Sequence, residues 1–413
     1  MIYSRIYFLG LMGLTIQKIY EWTLVLGLCL MPVMAVFAPR ALGIAPMVLG
    51  LIAFILHRIA YKNWPWPGRG FTFLAVGVVA LGVFSSLWAV DGPQALDRAG
   101  KLAAIFLGGG LLWGTTRGAL SHSDIIKVQF LKFMPWAALV ATALCAFELY
   151  SRGMFYALTH PDLHHFNPAF LNRSTVFCVL CFWPAFYTVQ HAGRSDKNIL
   201  MILLGLAMAA LLYKADSQSA QLAFLVSAPF YFLFPAARRE FWAALGVCLL
   251  AGIAAAPWIA ALMFEHGVVA VQDITWFQRS FAANRMEIWD FVARRALESP
   301  FWGHGLEATR VITDFDTQKL YFPENTVLHP HNFALQIWIE FGFIGVSLLS
   351  AALGWFLLQI RRLPVLEARL SLAVFMAALS VASTGYGLWQ SWWVGGLCVL
   401  ACLSLCAQHA TRR

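Results

Sequence analysis

The segment His329-Pro-His-Asn-Phe-Ala-Leu-Gln-Ile-Trp-Ile-Glu-Phe-Gly-Phe-Ile-Gly345 opens an apolar run from Phe333 to Leu358 whose one charged residue is Glu340. A helix rises about 1.5 Å per residue, so about 20 apolar residues cross the roughly 30 Å of bilayer hydrocarbon, and this run is long enough. Stretches of the same kind occupy Glu21 to Ala38, Ala41 to Ala60, Phe71 to Val90, Lys101 to Thr115, Phe133 to Tyr150, Ser174 to Gln190, Asn198 to Tyr213, Ser219 to Phe234, Phe241 to Met263, Leu370 to Gly387 and Leu388 to Cys406. The 413-residue chain is 60% hydrophobic and 12% charged, with mean hydropathy +0.70, whereas soluble domains carry about a quarter charged residues. Seventeen Trp and 33 Phe spread over its length exceed what one soluble core can hold. The expectation is an all-α polytopic membrane protein with about 12 transmembrane helices and one large outer loop containing a short helix. Its parts are residues 1–263, the loop 264–332, and residues 333–413.

Orientation follows from where the basic residues fall. With the N-terminus inside, the inner loops and the two termini together carry 17 of the 29 Lys and Arg, among them Arg58, Lys62, Arg117, Arg194, Arg238, Arg239, Arg361 and Arg362. The short outer loops keep Arg40, Arg98, Lys101, Arg152, Arg173 and Lys214, which is the asymmetry the positive-inside rule describes. The net charge of +9 therefore reports topology and gives no reason to expect a nucleic-acid partner. The basic, aromatic N-terminus is read as leading into a retained first span, since no small-x-small cleavage site follows it.

Several patterns have simpler structural explanations. All eight cysteines sit in apolar stretches; Cys178-x-x-Cys181 and the Cys398, Cys402, Cys406 series read as small apolar residues in lipid. His160, His164 and His165, flanked by Pro161 and Pro168, read as an irregular loop. Asp314-Phe-Asp316 lacks a partner motif for a metal, and His329 with His331 is poor ligand geometry because i and i+2 face apart on a helix. Glu148 and Asp216 read as acids solvated at the outer edge.

Within the outer loop, Asn284-Arg-Met-Glu-Ile-Trp-Asp-Phe-Val-Ala-Arg-Arg-Ala-Leu-Glu-Ser-Pro300 predicts a helix, with Asn284 as N-cap, Glu287 as its capping-box partner and Pro300 beyond its end. Ile288, Trp289, Val292 and Ala296 share one face. Arg285 opposes the dipole of the first turn unless it points at an anion. Phe301-Trp-Gly-His-Gly305 follows, and Pro330 places the next helix start near His331. Asn332, Gln336 and Glu340 then form one polar stripe, which should face the protein interior because a mid-bilayer Glu is costly.

The combination of His-x-His-Asn-x-x-Leu-x-x-x-x-Glu-x-Gly-x-x-Gly with upstream Asn-Arg-x-x-x-Trp and Gly-His-Gly, covering about Asn284 to Gly345, resembles the O-antigen ligase superfamily. That superfamily includes O-antigen ligases, O-antigen polymerases and protein O-oligosaccharyltransferases. The resemblance implies a bacterial inner-membrane glycosyltransferase with its active site facing the periplasm. It would move a glycan from undecaprenyl diphosphate to an acceptor hydroxyl, here lipid A-core oligosaccharide, using no sugar nucleotide, no cofactor and no metal.

Such chemistry asks for a base that titrates near neutrality and for cations that stabilise a departing diphosphate. Carried over by position, His331 is the base and Arg285 the diphosphate clamp, with His329, Asn332 and Glu340 supporting them and His304 a further binding candidate. A family Arg expected near Gln218 is absent from Lys214-Ala-Asp-Ser-Gln-Ser219, which makes Arg173 or Lys214 the candidate replacement. Ligase is the preferred reading; polymerase or protein oligosaccharyltransferase, and from another class a lipid-linked glycan transporter, are the alternatives. Additional C-terminal sequence would be expected of a protein-modifying enzyme, and the chain ends soon after its last span.

Overall fold

The computed structural model describes residues 15–122, 124–159, 165–271, 273–279, 281–313, 320–322, 324 and 326–411. It is 81% helical, with no strand among the described residues. The long helices are α1 (Ile16–Phe37), α2 (Ala45–Tyr61), α3 (Arg69–Ser85), α4 (Gly92–His122), α5 (Asp124–Tyr150), α6 (Asn172–His191), α7 (Lys197–Lys214), α8 (Gln218–Phe232), α9 (Arg239–Ala254), α10 (Ala282–Glu298), α11 (Phe333–Arg361), α12 (Val365–Thr384) and α13 (Ser391–Thr411). Among the described residues, seven helices (α1, α5, α6, α7, α11, α12 and α13) are long and apolar enough to cross a membrane. Helix α9 and the following Ala256–Ala270 make an eighth if the bent pair counts as one span, and α2 and α3 are apolar but shorter. Outward faces are apolar, as lipid contact requires: on α7, Ile199, Ile202 and Leu206 are all exposed.

The chain forms two compact units, one of residues 1–75, 104–215 and 391–413, the other of residues 76–103 and 216–390. In the first, α6 is the most enclosed helix, packed by α1, α5, α7 and α13. In the second, α8 pairs with α12, while α9 and α10 pack on α11. All eight cysteines are free, seven of them buried. Glu148, expected to be solvated, is instead fully buried and accepts the backbone amides of Phe155 and Tyr156 at 2.9 and 2.8 Å, so it caps the short helix Met154–Thr159.

Two expected spans in the second unit are broken. The stretch Phe241 to Met263 bends by 71° after Ala254. Pro257 supplies no N–H and clashes with the turn before it. The carbonyl of Ile253, four residues earlier, accepts a bond from Trp338 Nε1 at 2.9 Å instead. Helix α11 breaks at Gly342, whose φ of 55° and ψ of −150° lie outside helical space.

A helix break exposes carbonyls before it and amides after it, and in an apolar interior each must find a partner. Here the turn Pro300–Gly305 provides them. His304 N donates to Ile339 O at 2.7 Å and Gly305 N to Glu340 O at 2.8 Å, while Phe343 N donates to Pro300 O at 2.7 Å and Ile344 N to Phe301 O at 3.3 Å. The approach leaves no room for side chains, since a Cβ on Gly342 would sit 2.6 Å from Phe301 C and one on Gly303 2.5 Å from Phe341 N. Thermal unfolding of detergent-purified Gly342→Ala is expected to show a clear loss of stability, on the order of 1–3 kcal/mol from strain alone. Gly354→Ala, in open space on the same helix, should leave the midpoint unchanged or higher.

Candidate functional site

Helix α10 starts at Ala282, two residues before the expected cap. Asn284 is therefore helical and its amide donates to the Tyr321 carbonyl. Glu287 does not close a capping box; it is buried and its carboxylate accepts the amides of Leu320, Tyr321 and Phe322 at 3.1, 2.8 and 2.7 Å. Ile288, Val292 and Ala296 form the expected buried face. Trp289 reaches across to donate its indole N–H to Pro330 O at 2.8 Å, fixing the residue before His331.

Arg285 lies between these anchors. The nearby acids are committed elsewhere, Glu287 to backbone amides and Asp290 to Arg294 at 2.9 Å. Burial holds the Arg285 guanidinium below its ordinary pKa, opposed by its neighbour Tyr386, yet an arginine remains charged throughout.

His331 has a left-handed backbone, with φ of 55°, a conformation costly for a residue with a Cβ. Its Nδ1–H donates to the carbonyl of Gly385, which fixes the neutral tautomer and leaves Nε2 with the basic lone pair. Burial pushes its pKa down to about 3, His329 and Arg285 push the same way, and the Gly385 carbonyl opposes them. The His329 ring packs edge-on at 4.2 Å between centroids, and its Nε2 accepts from Gln390 Nε2 at 2.8 Å.

The polar stripe faces inward as expected, but its members differ in role. Asn332 is the N-cap of α11, accepting from Ala334 N and Leu335 N. Gln336 donates to Glu340 at 3.0 Å and accepts from Leu388 N at 2.9 Å. Glu340 is fully buried; besides Gln336 it accepts from Glu307 N at 3.2 Å and Trp389 Nε1 at 2.6 Å. Glu307 in turn holds Arg98 Nε at 2.8 Å and Arg310 Nε at 2.6 Å. His304 donates from Nε2 to Arg295 O at 2.8 Å, tying the Gly-His-Gly turn to α10.

The second unit thus brings together Arg285, His304, His329, His331, Asn332 and Glu340. Arg173 and Lys214 belong to the first unit, where Arg173 lies 5.8 Å over the Trp392 ring and Lys214 5.9 Å from the Tyr150 ring. Asp314, Asp316, His160 and His164 lie outside the described residues. Among the described residues, no three His, Cys, Asp or Glu side chains form a group that could hold a metal ion.

Sequence reasoning missed the segment Gly385-Tyr-Gly-Leu-Trp-Gln390, which contacts the site at every second residue or closer: Gly385 holds His331, Tyr386 faces Arg285, Leu388 meets Gln336, Trp389 meets Glu340 and Gln390 meets His329. Its signal was the glycine pair and aromatic residues interrupting two apolar runs. Arg98, Glu307 and Arg310 were also missed, as ordinary loop charges. They line a narrow cleft together with Thr309, His329 and Gln390.

These features define a helical protein with, among the described residues, seven helices long and apolar enough to cross a membrane, and with His331 just before the start of a broken helix. Residues 203–350 match the family model described as O-Antigen ligase. The chain is 25% identical over 285 residues to the "Putative polysaccharide ligase" of Rickettsia typhi, covering 68% of each chain, and 26% identical to that of Rickettsia conorii, covering 68% and 67%. No solved structure matches the chain. These similarities support an O-antigen ligase family member.

The depressed His331 pKa has a thermodynamic consequence. Above pH 6.5 the imidazole is neutral in folded and unfolded chains alike; between 6.5 and about 3 only the unfolded chain takes up the proton, so stability falls as pH falls. The drop in thermal midpoint from pH 7 to pH 4.5 should be smaller in His331→Gln than in the parent protein. Equal drops would mean that His331 protonates freely in the folded state.

Proposed function

We propose that the protein is an O-antigen ligase that transfers a glycan from undecaprenyl diphosphate to a hydroxyl of lipid A-core oligosaccharide at the periplasmic face of a bacterial inner membrane. The carrying observation is the orientation of His331: Nδ1–H is spent on Gly385 and Nε2 is left as a base beside the charge of Arg285. In the proposed reaction Nε2 removes the proton of the acceptor hydroxyl as that oxygen attacks the anomeric carbon. The bond from anomeric carbon to phosphate oxygen breaks, configuration inverts, and undecaprenyl diphosphate leaves against Arg285. No metal takes part.

An imidazole with a pKa of about 3 is a weak base, and proton transfer is best when the pKa lies near the working pH. A diphosphate beside Arg285 supplies negative charge that offsets both Arg285 and desolvation, raising His331 toward neutrality. The proposed topology has twelve spans, both termini cytoplasmic and residues 264–332 in the periplasm, the arrangement favoured by the distribution of Lys and Arg.

Transfer from lipid-linked donor to purified core acceptor tests this directly. His331→Ala is expected to lose at least about a hundredfold in turnover, the usual scale of a general base. Arg285→Lys should fall less than Arg285→Ala, and EDTA should have no effect. Near-normal turnover by His331→Ala would sink the base assignment, and loss of activity in EDTA the metal-free one. A deletion strain that leaves core uncapped while lipid-linked polymer accumulates supports ligase; core bearing single repeat units would make the protein a polymerase.

A further inference from the structure

The cleft beside the His pair is separate from the Arg285 side of the site: His329, Arg98, Thr309, Arg310 and Gln390 line it, and His331 and Arg285 do not. Arg98 and Arg310 both hold the Glu307 carboxylate through Nε, one on each oxygen. Arg310 Nε donates a hydrogen bond, Arg98 Nε lies at ion-pair distance, and the terminal nitrogens of both point elsewhere than Glu307. Arg98 Nη1 makes one long contact, 3.4 Å to Trp389 O, and Arg310 makes no other hydrogen bond among the described residues. Two cations thus meet one carboxylate at the wall, and Glu340 beneath them has both oxygens taken by N–H donors. A second observation is independent of the arginines. The Thr309 hydroxyl, on a side chain 1% exposed, lines the same cleft and has no hydrogen-bond partner among the described residues. Buried hydroxyls are seldom left without one, and a ligand oxygen is the partner this position lacks.

Resting on the ligase reading above, we propose that this cleft is the acceptor subsite and that it takes a sugar bearing an oxyanion, a phosphate or a carboxylate. The terminal nitrogens of Arg98 and Arg310 grip the anion, Thr309 and Gln390 bond sugar oxygens, and the neighbouring hydroxyl of that sugar is delivered past His329 to His331. Arginine forks suit this task because they remain charged and match the spacing of phosphate and carboxylate oxygens. The donor diphosphate, which carries the same chemistry, is assigned to Arg285.

The test uses the full-length protein in detergent, with Arg310→Gln and Thr309→Val, and lipid A-core acceptor either phosphorylated or enzymatically dephosphorylated. Arg310→Gln is expected to raise KM for the phosphorylated acceptor about tenfold, the scale of one lost charge-assisted bond. It should leave kcat and the donor KM within about twofold and add nothing with the dephosphorylated acceptor, for which the parent protein already shows the raised KM. Thr309→Val should move the same constant in the same direction by a smaller factor. Equal KM for the two acceptors would overturn the subsite, and so would a shift in the donor KM in place of the acceptor KM.

Binding without turnover separates this inference from the ligase reading. Glucose 6-phosphate at millimolar concentration should raise the thermal midpoint of the parent protein, glucose should not, and Arg310→Gln should abolish the difference. If no transfer to core occurs but this pattern holds, the ligase reading fails and the anion-binding cleft stands. Equal shifts with both sugars overturn the cleft.

Discussion

The second unit depends on one interaction, the backbone pairing between the break in α11 and the turn Pro300–Gly305. A helix interrupted in an apolar surrounding leaves polar groups that cost free energy until they are bonded, and here four of them are met by four groups of one short turn. The nine residues Phe333–Phe341 become a half-helix with its own direction. At one end of it sits the His331 turn, capped by Asn332; at the other, Glu340 lies beneath Glu307. Trp338, on the same half-helix, supplies the donor that Pro257 cannot give. Moving the break would move His331, the buried Glu340 carboxylate and the bend in α9 together.

This use of a broken helix differs from one that serves transport. In transporters the unwound carbonyls and half-helix ends face a cavity and coordinate the cargo. Four of the groups freed at Gly342 bond the turn Pro300–Gly305, so these do not coordinate a cargo. His329 and His331 lie at the N-terminal end of the half-helix, remote along the chain from the break.

The residues that carry this arrangement were unevenly legible. Helical fold and apolar spans follow from length and periodicity, and the inward polar stripe at Gln336 and Glu340 from spacing alone, because burial of such groups is forced by the medium. Asn284 and Glu287 matched a capping box in sequence, yet both bond a loop more than thirty residues onward, and such tertiary partners leave no local trace. Gly303 and Gly342 were visible as motif glycines, but the reason for them, a close approach of two backbones, needs both segments in view. The Gly385–Gln390 segment escaped because it reads as the seam between two spans. Arg98 escaped because a charge near a helix end is usually only solvated.

Burial lowers the pKa of His331 first, His329 next, and the charge of Arg285 adds to both. A cation held in a half-buried site beside an imidazole makes protonation of that imidazole still less favourable, and the nearby Glu287 and Asp290 are committed to other partners. On the proposed reading this couples the two substrates. With the donor diphosphate absent, His331 is too weak a base to activate an acceptor hydroxyl; with it present, the anion satisfies Arg285 and strengthens the base in the same event. Water reaching the empty site would meet a base that cannot activate it. Pairing Arg285 with a fixed carboxylate would give up that discrimination, since His331 would then be a competent base whether or not a donor was bound.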